Sequence, residues 1–271
     1  MKKRIISGLI MLPLLIVILL GRYILFGACF VIGILGVYEF YKGFRAADIH
    51  PCFPIAVGSA IGLYALELLI HDFGILDDTG RWFMLWLFAT VLACLLYLFR
   101  IEERKMEDAM ATLIGIVYVV FFIFHMTLVD RSGEDTKILV WLVIFGAFAT
   151  DVMAYFTGVA CGRHKLCPKI SPKKTIEGSL GGLAGSIVVC GLFGWFLAHD
   201  LFLHCVIIGA LCGVVSQFGD LTASIFKRKM GIKDYGNVIP GHGGILDRFD
   251  SVLFTAPLVY YYIVFIIHSG V

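Results

Sequence analysis

Apolar stretches long enough to cross a bilayer recur along most of this chain, and they constrain its fold more than any other feature. In hydrocarbon every backbone N–H and C=O must be paired within the protein, which leaves helices or closed barrels. The runs fall at about 5–20, 23–41, 53–70, 82–99, 110–129, 138–160, 179–198, 201–222 and 251–268. Each is close to the ~20 residues that a helix needs to span the hydrocarbon core. They are continuous instead of alternating, so nothing in them reads as a β-barrel. The sequence therefore predicts an all-α, polytopic integral membrane protein of about nine transmembrane helices. A content of 60% hydrophobic and 15% charged residues, with mean hydropathy +0.93, agrees and lies far from a soluble average.

Loop charge predicts the orientation. With the N-terminus in the cytoplasm and the helices alternating, eighteen of the 22 cations fall in cytoplasmic segments. The outer segments keep Arg22, Arg81, Arg131 and Lys137. Such asymmetry predicts an N-in topology. Met1-Lys2-Lys3-Arg4 ahead of an apolar run resembles a signal peptide. No small-residue cleavage pattern follows Leu20 and further spans come at once, so the first helix is expected to be retained. The connecting segments are too short for a soluble domain, which places any chemistry at the membrane.

Two parts are expected: residues 1–137, helices for anchoring and packing, and residues 138–271, a transmembrane catalytic core with cytoplasmic loops 161–178 and 223–250. The first part says little about function. Glu39-Phe40-Tyr41-Lys42 reads as an aromatic membrane-interface segment with a snorkelling lysine. Glu67 lies near the outer end of its span, where partial solvation is expected. His125 reads as a packed or hydrogen-bonded histidine. The eight cysteines form no CxxC pair and sit in or beside apolar runs, the pattern of buried free thiols.

The second part carries the chemistry. Asp151 sits inside the sixth run, on one helical face with Tyr155 and Gly158. It should turn into the bundle towards a cation or a polar group. The cationic loop after it carries Pro168 and Pro172 and ends in Lys173-Lys174-Thr175-x-Glu177-Gly178. Cations, a hydroxyl and free amides at a helix start attract phosphate oxygens. Gly178, Gly182 and Ser186, with Gly181 and Gly185, make small-residue faces for close packing. Further on, Ser216, Asp220, Ser224 and Lys227 or Arg228 share one face. Asp247 and Asp250 follow at i, i+3, after His242-Gly243-Gly244, whose backbone can approach a ligand closely. Carboxylates, cations and a glycine turn on one membrane side suggest a phosphate site assisted by a divalent ion such as Mg²⁺, which takes hard oxygen ligands.

These residues carry a resemblance. Ser224-x-x-Lys227-Arg228, Lys233-Asp234 and Ile239-Pro240-x-His242-Gly243-Gly244-x-x-Asp247-Arg248-x-Asp250 resemble the signature of the phosphatidate cytidylyltransferases, or CDP-diacylglycerol synthases. Asp151-x-x-Ala154-Tyr155 and Ser171-Pro172-Lys173-Lys174-Thr175-x-Glu177-Gly178 are similar to other recurring segments of that family. Ala223 stands where a glutamate is expected. The resemblance implies transfer of CMP from CTP to phosphatidate with release of pyrophosphate, at the cytoplasmic face of a bacterial inner membrane. It also implies Mg²⁺, alone or with a second cation, on Asp220 and Asp247, with Asp250 as a third or outer ligand. Lys173, Lys174, Lys227, Arg228, Lys233 and Arg248 would share the triphosphate and the lipid phosphate. Thr175, Ser224, His242, Gly243, Gly244 and Asp151 would complete the substrate site. The expected partners are CTP, phosphatidate and membrane lipid, with no nucleic-acid polymer and a homodimer through transmembrane helices. Competing readings are a CTP-dependent polyprenol kinase, an ion-coupled transporter using Asp151 and Asp220, and a non-catalytic scaffold.

Overall fold

The computed structural model describes residues 15–76, 79–236 and 243–270, and among them eight helices are long and apolar enough to span a membrane. Most of the first expected helix lies outside the described residues; its end, 15–20, is helical. The elements are α1 (Arg22–Arg45), α2 (Phe53–His71) and α3 (Thr79–Leu96). Next, α4 (Met106–Gly115) passes through a π-helical turn into α5 (Phe122–Asp130) as one span. Then come α6 (Val140–Cys161), α7 (Ile176–Leu197), α8 (Phe202–Lys229) and α9 (Leu246–Tyr262). Between α6 and α7 a small antiparallel hairpin pairs β1 (Lys165–Cys167) with β2 (Ser171–Thr175). Pro168 and Pro172 deny this segment a helix.

Large apolar residues such as Met84, Phe88, Phe196 and Phe265 remain exposed on the isolated chain. In a chain with eight apolar spans among its described residues, that exposure is a lipid-facing surface, consistent with the expected polytopic membrane protein. Alternation of the helices separates two ends. At one, Lys105 pairs with Asp48 and the His50 amide donates to Asp108. The hairpin, the end of α8 and the start of α9 meet at this same end, beside the last turns of α1. At the other end Arg131 pairs with Asp72 at 2.7 Å, and the Arg22 amide donates to Asp130.

Two expectations need correction. Glu39, Phe40 and Tyr41 do not form an exposed aromatic face for lipid headgroups: all three are buried within the protein. Phe40 packs edge-on against Phe44 and Phe226, and the Tyr41 hydroxyl donates to Thr112 O at 2.6 Å. Glu67 is fully buried instead of partly solvated, and Arg131 at 3.7 Å and His71 at 3.6 Å face its carboxylate. Burying that acid without such a cation would be costly. His125 behaves as read, its Nδ1 hydrogen-bonding Phe121 O at 2.8 Å. All eight cysteines are free.

The most extensive helix packing joins α6 to α7, and glycines allow it. A Cβ on Gly182 would sit 2.8 Å from Thr150 O, and one on Gly178 would sit 2.7 Å from Ala154 O. Ser186, on the same helix, donates to Gly209 O of α8 at 2.7 Å. Gly182→Ala should therefore destabilise the folded protein by about 1–3 kcal/mol through overpacking. Gly58→Ala, whose Cβ would meet nothing within 4 Å, should leave stability unchanged or slightly raised. Thermal unfolding of the two variants in the same detergent checks the contrast.

Candidate functional site

Two lysine–carboxylate pairs knit three segments together at the end of the bundle that holds the hairpin. α8 outlasts its apolar run, continuing as helix through Lys227-Arg228-Lys229, where cations suit a helix C-terminus. Asp220 on α8 meets Lys174 of β2 at 2.5 Å, and Lys227, two turns on, meets Asp247 of α9 at 2.7 Å. Arg228 Nε donates to Ile170 O at 3.5 Å, pinning the hairpin turn. Glu177 closes the hairpin's base, accepting the Arg163 amide at 3.0 Å and bonding His164 Nδ1 at 2.6 Å.

Asp247 is held from all sides. Its Oδ1 takes Lys227, and its Oδ2 accepts the amides of Tyr235 and Gly244, each at 2.9 Å. Gly243 has φ +87°, a left-handed conformation that suits glycine, and a Cβ there would lie 2.9 Å from Asp247 Oδ2. The open sides of Gly243 and Gly244 face carboxylates of the protein itself, Asp247 and Glu39. Two further acids stand nearby, Asp250 buried and Asp151 exposed on the isolated chain. Asp250, buried in the first turn of α9, is close enough to Asp220 and Asp151 for their charges to interact. Asp151 accepts a hydrogen bond from Ser251 Oγ at 3.2 Å.

A divalent ion would find hard oxygens here but no closed cage. Among the described residues no three acidic, histidine or cysteine side chains converge into a protein-only site. Mg²⁺ does not require one, since it takes one or two carboxylates and fills its shell with water and substrate phosphates. The carboxylate of Asp220, half-buried and paired with Lys174, fits that mode as a single ligand. Asp247 could join through Oδ1, the oxygen it shares with Lys227.

The remaining expected residues separate by position. Lys173 and Lys233 are exposed, Ser224 stands half-buried one turn beyond Asp220, and Arg248 is half-buried in the first turn of α9. His242 lies outside the described residues. Thr175 is buried, and its hydroxyl caps α7 by accepting the Gly178 amide at 3.1 Å. The free amide expected there is thus committed within the protein. Ala223 is fully buried and its carbonyl accepts the Tyr235 hydroxyl at 3.2 Å. Sequence reasoning missed Glu39, whose signal was an acid in an apolar run, masked by its nearness to Lys42. It also missed Ser251 and Tyr235, which nothing in the sequence singles out.

The cap has a measurable consequence. Thr175→Val removes the acceptor while keeping the shape, and should cost about 1 kcal/mol of stability. Thr175→Ser should retain it. Melting temperatures of both variants against the parent protein decide.

The cytidylyltransferase family profile matches residues 2–266. A phosphatidate cytidylyltransferase of Synechocystis sp. is 34% identical over 98% of this chain and 97% of its own length. One from Staphylococcus epidermidis is 31% identical over 96% and 97%. A third, from Staphylococcus haemolyticus, is 39% identical over 56% of this chain and 58% of its own. The chain belongs to the cytidylyltransferase family.

Proposed function

We propose that this protein transfers CMP from CTP to phosphatidate, giving CDP-diacylglycerol and pyrophosphate at the cytoplasmic face of the membrane. The observation that carries the reading is the pairing of Asp220 with Lys174 and of Asp247 with Lys227, with Asp250 one turn along from Asp247, at one end of a transmembrane bundle. Membership of the cytidylyltransferase family and relatives named phosphatidate cytidylyltransferase support it.

The chemistry asks for little proton transfer. A phosphate monoester has its second pKa near 6, so phosphatidate is largely a dianion at neutral pH. One of its oxygens forms a bond to the α-phosphorus of CTP, the bond from that phosphorus to the bridging oxygen breaks, and pyrophosphate leaves with the electron pair. The obstacle is bringing two anions together, so positioning and charge neutralisation carry the rate. Lys174 and Lys227, already poised on carboxylates, can exchange those partners for phosphate oxygens. Lys173, Arg228, Lys233 and Arg248 lie on the same segments and extend the positive field, while Ser224 offers a hydroxyl. One or two of the carboxylates of Asp220, Asp247 and Asp250 would hold Mg²⁺, with water and substrate phosphates completing its shell. That ion, when bound, neutralises triphosphate oxygens as a Lewis acid.

The decisive assay supplies purified protein with CTP, phosphatidate and Mg²⁺. CDP-diacylglycerol and pyrophosphate in equal amounts are expected; CDP with a phosphorylated lipid alcohol would select the kinase reading instead. Asp220→Asn and Asp247→Asn should each lower kcat by about a hundredfold or more, since they remove charge from a site that works by electrostatics. Near-parent activity of both variants across Mg²⁺ concentrations would refute the assignment.

The proposed face has its own test. Cys161, at the end of α6, is exposed. A membrane-impermeant maleimide should label it in inverted membrane vesicles and not in intact cells. Labelling in intact cells would put the site on the wrong side for a cytosolic nucleotide.

A further inference from the structure

The paired charges of the site come from the second half of the chain, yet an acid from the first half reaches into it. Glu39 lies on α1, is 2% exposed, and accepts the Leu246 amide on Oε2 at 2.9 Å. Leu246 opens α9 and immediately precedes Asp247. The residue before it, Ile245, has no side-chain oxygen with which to cap the helix. The cap therefore comes from a carboxylate 207 residues away in sequence. A carboxylate also suits the positive end of the helix dipole.

The backbone on both sides is cut to fit that carboxylate. A Cβ on Gly244 would lie 2.6 Å from Glu39 Cδ, and one on Gly236 would lie 2.8 Å from it. In sequence these two glycines stand on either side of residues 237–243. Tyr235, next to Gly236, and Gly244 are the residues whose amides hold Asp247 Oδ2. The platform extends past the acid. A Cβ on Gly43, one turn along α1, would sit 2.7 Å from Met230 Sδ, and Phe40 touches both Phe226 and Tyr235.

We infer that Glu39 is a positioning residue for the reaction: it fixes both ends of the signature segment and so sets where Asp247 and Lys227 stand. Gly244 is glycine to admit this carboxylate. Glu39 does not touch substrate; it acts through the Leu246 amide. The inference deepens the proposed cytidylyl transfer and rests on it for its activity readout, while the contact itself can be measured without turnover.

The experiment uses the full-length protein in detergent and compares Glu39→Gln, Glu39→Ala, Gly244→Ala and the double variant Glu39→Ala/Gly244→Ala. Hydrogen exchange of a peptide covering residues 243–250 reports the Leu246 amide. Glu39→Ala should lose that protection and lower kcat by about a hundredfold, the scale of a small misplacement of catalytic groups. Glu39→Gln keeps an acceptor oxygen and should restore most of both. Gly244→Ala should be impaired alone but add nothing in the Glu39→Ala background, where its Cβ has room. Unchanged protection in Glu39→Ala, a Gln variant as poor as Ala, or simple additivity of the two substitutions would each overturn the inference. If Glu39→Ala fails to fold, Gln and Gly244→Ala still decide, through exchange and kcat. If the parent protein makes no CDP-diacylglycerol, the reaction falls, and the exchange data alone judge the role of Glu39.

Discussion

A charge at a membrane boundary must be matched, because the low dielectric that surrounds it makes an unpaired ion far more costly than in water. The arrangement of this protein follows from that constraint. Lys174 answers Asp220, Lys227 answers Asp247, and Arg131 answers Glu67. Glu39 is answered by a backbone amide. Each match joins segments distant in sequence, so neutralising the charges and assembling the tertiary structure are one event.

The same pairs make the site adaptable. A lysine on a carboxylate presents a cation beside a hard oxygen ligand; in the proposed reaction the cation would go to a phosphate oxygen and the carboxylate to a metal ion. Asp247 differs from Asp220 in this respect. Three protein donors hold it, two of them backbone amides, so it serves the geometry of the loop as well as its charge. Asp220 and Asp250 have fewer obligations to the backbone: Asp220 pairs with Lys174, and Asp250 Oδ1 accepts the Ser251 amide.

Rigidity comes from small residues. Lipid offers no hydrophobic drive for helices to associate, so close van der Waals contact must supply it. The glycines of α7 let α6 approach until Cβ atoms would collide with main-chain carbonyls. That contact places the hairpin, through Thr175 and Glu177 at the start of α7, over the end of α8. The glycines of the signature segment act in a related way, bringing main chain against the carboxylates of Glu39 and Asp247.

Much of this was legible in one dimension. Apolar runs gave the helices, since a membrane leaves the backbone no other way to pair its polar groups. Carboxylates and cations near the C-terminus identified Asp220, Asp247, Asp250, Lys174 and Lys227 as a group, because such residues are rare in so apolar a chain. The spacing of small residues on α7 marked its packing face. Pairing was not legible. That Lys174 meets Asp220, that Thr175 is used as a cap, and that Gly244 makes room for Glu39 all depend on which helices lie side by side. Periodicity says which face of a helix is special and not which neighbour it faces. Glu39, Phe40 and Tyr41 make the point most sharply: their local sequence matches a membrane interface, and only the packing of α1 against α8 and α9 turns them into the buried support of the site.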